Sequence, residues 1–159
     1  MAVTVLGIDP GLRVTGYAVI LLNDGVPEIR EAGVLKTRNK DPFEIRLKTL
    51  YDGLDAVISE FKPDTISVEK LYSHYNHPQT AVIMGHARGA IFLCAANHQI
   101  PVESYASTRI KKSLTGNGRA SKLQVQKTVR SVLKLREIPK PPDVADAIAT
   151  ALCHCETIR

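Results

Sequence analysis

The sequence lacks the long hydrophobic runs of a membrane protein, because no apolar stretch approaches the roughly 18 residues needed to span a bilayer. The amino terminus, MAVTVLGIDP, has no basic leader followed by a long apolar segment, so we expect a cytoplasmic protein without a membrane partner. With 44% hydrophobic and 23% charged residues, the 159 residues fit a single globular domain over residues 1–159 and exclude a disordered chain.

Cysteine is scarce, and the three cysteines do not form a disulfide framework. Cys94, Cys153 and Cys155 are an odd set in stretches with a helical pattern, which favours reduced thiols. Cys153-His154-Cys155 suggests zinc, but ligands one residue apart on a helix point in different directions, so buried thiols are the preferred interpretation. Four further histidines lack the sequence spacing of a ligand set: His74, His77, His86 and His98.

Acidic residues are absent from Ser104 to Arg136, whereas nine basic residues fall there, so the net charge of +5 is localised. The nine are Arg109, Lys111, Lys112, Arg119, Lys122, Lys127, Arg130, Lys134 and Arg136. Clustered Lys and Arg bind polyanions by releasing counterions from a phosphate backbone. A solvated helical face is the alternative for a charge run taken alone.

The hydrophobic pattern predicts an α/β fold with a mixed β-sheet and helices on both faces. The first third alternates as a three-strand meander with a hairpin at Asn23-Asp24-Gly25, and later strands alternate with helices as parallel crossovers do. The later predicted elements are a helix over 42–61, a strand over Thr65–Glu69, a helix over Pro78–His98, a strand over Pro101–Tyr105, and helices from about Ser121 and from Pro141 to about Cys155.

Four carboxylates interrupt or end apolar stretches, where an unpaired charge is costly to bury: Asp9, Glu69, Asp143 and Asp146. Glu69 ends a predicted strand, which in open α/β sheets is where ligands gather. Asp143 and Asp146 are three residues apart on one helix face, and the alanines that follow allow that helix to approach the sheet closely. A role as helix-dipole partners only would suit Asp143 but explains Asp146 poorly.

Four oxygen ligands without nitrogen or sulfur favour Mg²⁺, with Mn²⁺ as a substitute, over zinc. Two such ions, about 3.5–4 Å apart, can activate water on one side of a phosphodiester and stabilise the leaving oxygen on the other. Phosphodiester hydrolysis at two metal ions is therefore the predicted chemistry.

The motifs as a set resemble one known family. GIDPGLRVTGYAVI, VEKLY, GHARGA, KKSLTGNGRASKLQVQKTV and DVADAIATALCH occur in the order and spacing of the RuvC-type Holliday-junction resolvases, over almost the entire chain. The resemblance implies a ribonuclease-H-like fold. It also implies a homodimer that cuts a four-way DNA junction symmetrically, leaving 5′-phosphate and 3′-hydroxyl ends, in partnership with a branch-migration motor of the RuvA and RuvB type.

By match to the family's motifs, Asp9, Glu69, Asp143 and Asp146 are the expected metal-binding catalytic acids. The resemblance also implies five DNA contacts: Lys111, Lys122, Arg109, Arg119 and Tyr72. Tyr72 stands where the family carries an aromatic that stacks on opened bases, although a tyrosine packed on its own domain fits the sequence equally well.

Three other functions are compatible with part of the sequence. An actin-like ATPase shares the Asp9 turn but needs two such domains around one nucleotide. A non-catalytic DNA-binding module explains the basic segment and leaves the four acids without a purpose. A ribonuclease-H-like nuclease acting on RNA or an RNA–DNA hybrid would use the same metal chemistry on a different substrate.

Overall fold

The secondary structure comes from a computed structural model, which describes residues 1–71 and 76–159. Within them lie five strands and five helices. In chain order these are β1 (Ala2–Asp9), β2 (Val14–Asn23), β3 (Val26–Lys36), α1 (Phe43–Phe61), β4 (Thr65–Glu69), α2 (Pro78–Asn97), β5 (Val102–Tyr105), α3 (Ser107–Thr115), α4 (Lys122–Val132) and α5 (Pro142–Ile158).

The strands form one mixed sheet in the order β3-β2-β1-β4-β5. The first three strands are an antiparallel meander, and β4 and β5 add to it in parallel. Asp24 and Gly25 connect β2 to β3 with the two positive φ angles, 48° and 80°, that a tight hairpin requires. This arrangement confirms the predicted meander and the parallel crossovers.

Helices cover both faces of the sheet, as predicted. Helices α1 and α2 pack on one face against Leu6 and Ile8 of β1, and α3, α4 and α5 pack on the other face against Val5. The alternation follows from the strand period of two. Strand β1 therefore presents Val5, Gly7 and Asp9 to the side of the sheet that α5 covers, which we call the α5 face.

Strand β4 alternates in the same way. Ile66 and Val68 pack with α1 and α2, whereas Ser67 Oγ donates a 2.8 Å hydrogen bond to the Thr150 carbonyl oxygen on α5. Glu69, two residues after Ser67, also belongs to the α5 face. The predicted division of β4 into two faces is confirmed.

Helix α3 is an element that the sequence pattern does not predict. It is nine residues long, and Ile110 is its buried residue. Ile110 and the partly buried Leu114 lie one turn apart on its core side, and two apolar positions in nine residues are too short a pattern to predict a helix. By contrast, α4 begins at the predicted point, because Ser121 and Gln124 form a reciprocal capping box.

None of the helices in the described part of the chain combines the length and the hydropathy of a membrane span.

Candidate active site

Asp9 and Glu69 end two adjacent parallel strands. Ile8 of β1 pairs with Val68 of β4, so the next residue along each strand is one of the two acids. Both side chains belong to the α5 face, and both are partly buried. The sheet alone therefore places two carboxylates side by side at its carboxyl edge.

Helix α5 lies close enough to the sheet to bring Asp143 and Asp146 to the same edge. Gly16 pairs with Asp9 across the β1–β2 ladder, and a Cβ added at Gly16 would lie 2.1 Å from the Asp143 carbonyl oxygen. A Cβ at Gly7 would lie 2.2 Å from the Ala147 carbonyl oxygen. Only glycine allows such approach of two backbones, and it leaves the short aspartate side chains within reach of the strand acids.

The electrostatics show that the four acids share one site. Burial, followed by the charges of Asp146, Asp143 and Glu69, raises the pKa of Asp9 from 3.8 to about 8. Burial and the charge of Asp146 likewise raise the pKa of Glu69. These shifts follow from removing carboxylates from water and placing them near like charges.

The carboxylates are nevertheless spaced more widely than the ligands of one shared ion. Among residues 1–71 and 76–159, three donor side chains with their ligand atoms all within 4.8 Å of one another occur only at Asp55, Cys94 and His98, which lie elsewhere. The four acids thus lie at one sheet edge without three of their donor atoms meeting at one point.

Two of the predicted DNA-contacting lysines lie beside these acids. Lys122 Nζ is 3.1 Å from Asp146 Oδ2, and Lys111 lowers the pKa of Glu69 electrostatically. Both lysines line a cleft of about 210 Å³ together with Glu69 and Asp146. Burial alone would lower the pKa of Lys122, but its hydrogen bond to Asp146 and the surrounding carboxylates raise it above the ordinary value.

The two predicted arginines lie outside the cleft. Arg109 sits over the Tyr105 ring at 5.0 Å, and its Nη2 is 3.5 Å from Thr157 Oγ1 near the end of α5. Arg119 is exposed in the turn between α3 and α4, where its backbone nitrogen donates to Asn117 Oδ1. Tyr72, the fifth predicted DNA contact, lies outside the described residues.

Sequence reasoning missed two residues that hold Glu69 in place. The side chain of Ser107, the first residue of α3, forms a hydrogen bond with the Glu69 side chain that opposes the rise in its pKa. Arg88 of α2 donates from Nη1 to the Glu69 carbonyl oxygen. Each contact joins separate elements, so periodicity within one element does not reveal it. The available hints were that Arg88 lies in the GHARGA motif and that Ser107 follows two residues after the end of β5.

Cys153, His154 and Cys155 are all buried on α5. His154 Nδ1 is 2.6 Å from the Tyr105 hydroxyl, and the ring packs against the tyrosine. Burial lowers the pKa of His154. A neutral histidine bonded to a buried tyrosine supports a structural role for this segment.

Fold and site together define a ribonuclease-H-like protein, in which a mixed five-stranded sheet with helices on both faces carries carboxylates at one edge. The chain belongs to the RuvC family, because the family model for crossover junction endodeoxyribonuclease RuvC matches residues 5–154.

Relatives and solved structures agree with this assignment. The crossover junction endodeoxyribonuclease RuvC of Rhodopirellula baltica is 50% identical over 149 residues, covering 94% of this chain and 84% of the relative. The RuvC of Alkaliphilus oremlandii is 42% identical over 153 residues, covering 96% of this chain and 93% of the relative. The Thermus thermophilus RuvC structure in complex with a Holliday junction substrate superposes with a TM-score of 0.93 at 32% identity, covering 99% of this chain and 95% of that one.

Proposed function

We propose that this protein is a Mg²⁺-dependent endonuclease that resolves four-way DNA junctions in recombination and repair. It makes paired symmetric nicks that leave 5′-phosphate and 3′-hydroxyl ends. The observation that carries the proposal is the convergence of Asp9, Glu69, Asp143 and Asp146 at one sheet edge in a RuvC-family chain. Relatives named crossover junction endodeoxyribonuclease, and a similar structure bound to a Holliday junction, support the activity and the substrate.

We assign all four acids as catalytic metal ligands. Their donor set is entirely oxygen, which suits Mg²⁺, or Mn²⁺ in its place, and four carboxylates offer enough ligands for two ions. Bound divalent ions supply an activated water and stabilisation of the leaving oxygen of a phosphodiester. The raised pKa of Asp9 indicates that this pocket tolerates four negative charges poorly without added positive charge.

The neighbouring residues orient the acids. Lys122 holds Asp146 by its ion pair, and Ser107 holds the Glu69 side chain by its hydrogen bond. Because the pKa of Asp9 is about 8, this carboxyl group retains a proton at neutral pH until cations compensate its neighbours. Ion binding and deprotonation of Asp9 are therefore coupled.

The DNA backbone is proposed to lie along the basic surface next to the acids. Lys111 and Lys122 line the cleft, so they contact the phosphates nearest the cut, while Arg109 and Arg119 would contact phosphates farther away. Tyr72 remains a proposed stacking contact for an opened base, worth about 1–3 kcal/mol if it stacks.

A homodimer is proposed to form through α2. This helix exposes several large apolar side chains, with relative exposures of 60% at Val82, 40% at Ile83, 38% at Phe92 and 57% at Leu93. Contiguous exposed apolar side chains mark association surfaces, and a two-fold contact between identical helices would cover them in both copies. Such a dimer would present two active sites to one junction.

The remaining expectations are consistent with this function. We propose that residues 1–159 act as one nuclease domain, since α5 packs against strands from both halves of the sheet. The motor partner of the RuvA and RuvB type follows from the family resemblance. A cytoplasmic location would bring the enzyme to DNA and keep Cys94, Cys153 and Cys155 reduced.

The test compares three substrates: a synthetic four-way junction, a linear duplex and an RNA–DNA hybrid, each incubated with the protein in Mg²⁺ or Mn²⁺. We expect symmetric nicking of the junction and ligatable products, which require 5′-phosphate and 3′-hydroxyl ends. Cleavage of the hybrid without cleavage of the junction would reject the proposal in favour of a ribonuclease.

A further inference from the structure

A second group of metal-ligating side chains lies between α1 and α2. Asp55 of α1 and Cys94 and His98 at the end of α2 each present one donor atom, and the three donor atoms all lie within 4.8 Å of one another. Helix α2 runs from the carboxyl end of β4 to the start of β5, so its last turn lies at the sheet edge opposite the four acids. We propose that Asp55, Cys94 and His98 bind a transition-metal cation of the zinc class.

The geometry of the group fits a metal site better than it fits an isolated ion pair. His98 Nε2 and Asp55 Oδ1 are 2.6 Å apart, which alone would be a carboxylate–imidazole contact. Cys94 adds a third donor from one helical turn before His98, and residues four apart share a helix face. The Cys94 thiol donates to the Tyr51 carbonyl oxygen at 4.0 Å, a contact that a thiolate would give up on binding an ion.

The donor set selects the class of ion. Nitrogen, sulfur and carboxylate oxygen together suit Zn²⁺ or Co²⁺, whereas Mg²⁺ prefers oxygen alone. Zinc bonds of about 2.0–2.3 Å in a tetrahedron place neighbouring donors about 3.3–3.6 Å apart. The Asp55 and His98 donor atoms, 2.6 Å apart, therefore need to separate by less than about 1 Å, and the Cys94 sulfur, within 4.8 Å of both, needs to approach by no more than about 1.5 Å.

Solvent access at the group leaves room for a fourth ligand. The side chain of Asp55 is 47% exposed and that of His98 is 26% exposed, while Cys94 is fully buried. His98 also lines an adjoining cleft with Ile58, Lys62 and Ile100. Water completes the coordination from this side.

Binding releases one proton for each ion. The Cys94 thiol becomes a thiolate and its proton passes to solvent. The proton that His98 Nε2 holds toward Asp55 is exchanged through solvent for one on Nδ1, so Nε2 is free to ligate the ion and the net release is the thiol proton. Burial, with the charge of Asp55, raises the pKa of Cys94 to about 11, so the ion must displace a firmly held proton. A bound ion joins α1 to α2 and stabilises the folded state.

The test is a Co²⁺ titration of the reduced, metal-free full-length protein. We expect one equivalent to produce a thiolate-to-cobalt charge-transfer band, which stoichiometric Zn²⁺ removes. At Zn²⁺ concentrations about 100 times the dissociation constant, the melting temperature should rise by about 5–10 °C. Cys94→Ala should abolish the band, and His98→Gln and Asp55→Asn should each weaken binding at least about tenfold.

Two controls locate the signal. Cys153→Ala and Cys155→Ala should each keep the band, which excludes the other two buried thiols. Asp146→Asn should also keep it, which separates this group from the four acids. Loss of nuclease activity in Asp146→Asn with the band retained leaves both proposals standing. Absence of a band with excess Co²⁺, or a band that survives both Cys94→Ala and His98→Gln in folded protein, would overturn the metal site.

Discussion

The two faces of the sheet are built on different principles. On the α5 face, Gly7 and Gly16 lie directly beneath the backbone of α5, so helix and sheet touch without intervening side chains. On the other face, branched aliphatic residues such as Leu54, Ile58 and Ile91 separate α1 and α2 from the strands. The first arrangement brings short polar groups together, whereas the second excludes them.

Two ion pairs, one on each side of the sheet, illustrate this difference. Lys122–Asp146 joins α4 to α5 beside Asp9 and Glu69, and the Asp146 side chain is only 30% exposed. Lys48–Asp52 is an i,i+4 pair on α1 with side chains 69% and 57% exposed. We therefore expect the Lys122–Asp146 pair to matter for activity and the Lys48–Asp52 pair to be dispensable, because exposed ion pairs contribute little to stability.

Asp146→Asn should cause the largest loss. Removing a group that merely supports a metal ligand costs about 10–100-fold in activity, so removing a ligand should lower junction cleavage by more than about 100-fold. Junction binding should remain, because the basic surface is intact. Single-turnover cleavage and gel-shift assays measure the two effects, with Asp52→Asn as the matched control. Comparable cleavage by both variants would contradict the assignment of the acid cluster.

The metal-free protein should lose stability as the pH rises from about 4 to about 8. Asp9 has a pKa of about 8 in the folded state against an ordinary 3.8, so the folded state binds more protons within this window. The expected change is on the order of a few kcal/mol. Urea unfolding of wild type and Asp9→Asn in the presence of a chelator measures this change. The variant should lose much less stability in this window, with the remaining loss coming from Glu69, whose pKa is also raised. Mg²⁺ should restore the stability of the wild type at pH 8. Parallel pH profiles for the two proteins would refute this interpretation.

Gly16→Ala should destabilise the protein by about 1–3 kcal/mol, because overpacking forces α5 away from β2. Cleavage should fall as well, since Asp143 moves with the helix. Gly53→Ala on α1 is the control: the nearest atoms to its added Cβ all belong to the Leu35 side chain, which can shift, and alanine favours a helix by about 0.5–1 kcal/mol. Denaturant midpoints compare the two, and equal losses would mean that the α5 face is no tighter than its opposite.

Lys122→Ala should have the smallest of these four effects, and that effect falls on binding. Loss of one phosphate contact should weaken junction affinity across sequences and reduce the slope of log K against log salt by about 1. Lys48→Ala, its counterpart on α1, should change neither quantity. Fluorescence anisotropy over a range of salt concentrations tests both, and an unchanged slope for Lys122→Ala would remove this lysine from the DNA interface.

Sequence patterns predicted the parts of this site that depend on local periodicity. Alternation in β1 and β4 placed Asp9 and Glu69 at strand ends, and helical spacing placed Asp143 and Asp146 on one face of α5. Their proximity then follows from strand register and from glycine positions. The strand ends and the helix face can be deduced because each depends on the sequence of a single element.

Contacts between elements could not be deduced in this way. Ser107 and Arg88 reach Glu69 from α3 and α2, and Asp55 meets Cys94 and His98 across two helices. The i,i+4 spacing of Cys94 and His98 was visible, but the third donor lies 39 residues earlier in the sequence. Arg109 illustrates the converse error. Its place in the basic segment predicted a DNA contact near the acids, but its side chain packs over Tyr105 outside the cleft.

Three helices begin at the acid cluster: α3 at Ser107 beside Glu69, α4 at Lys122 beside Asp146, and α5 at Pro142 just before Asp143. Unpaired amide groups at a helix start carry about half a positive charge. The carboxylates are therefore surrounded by positive potential from the backbone itself. A chelator cannot remove that potential, and neither pH nor side-chain substitution can titrate it away, so it offsets part of the carboxylate charge under all conditions.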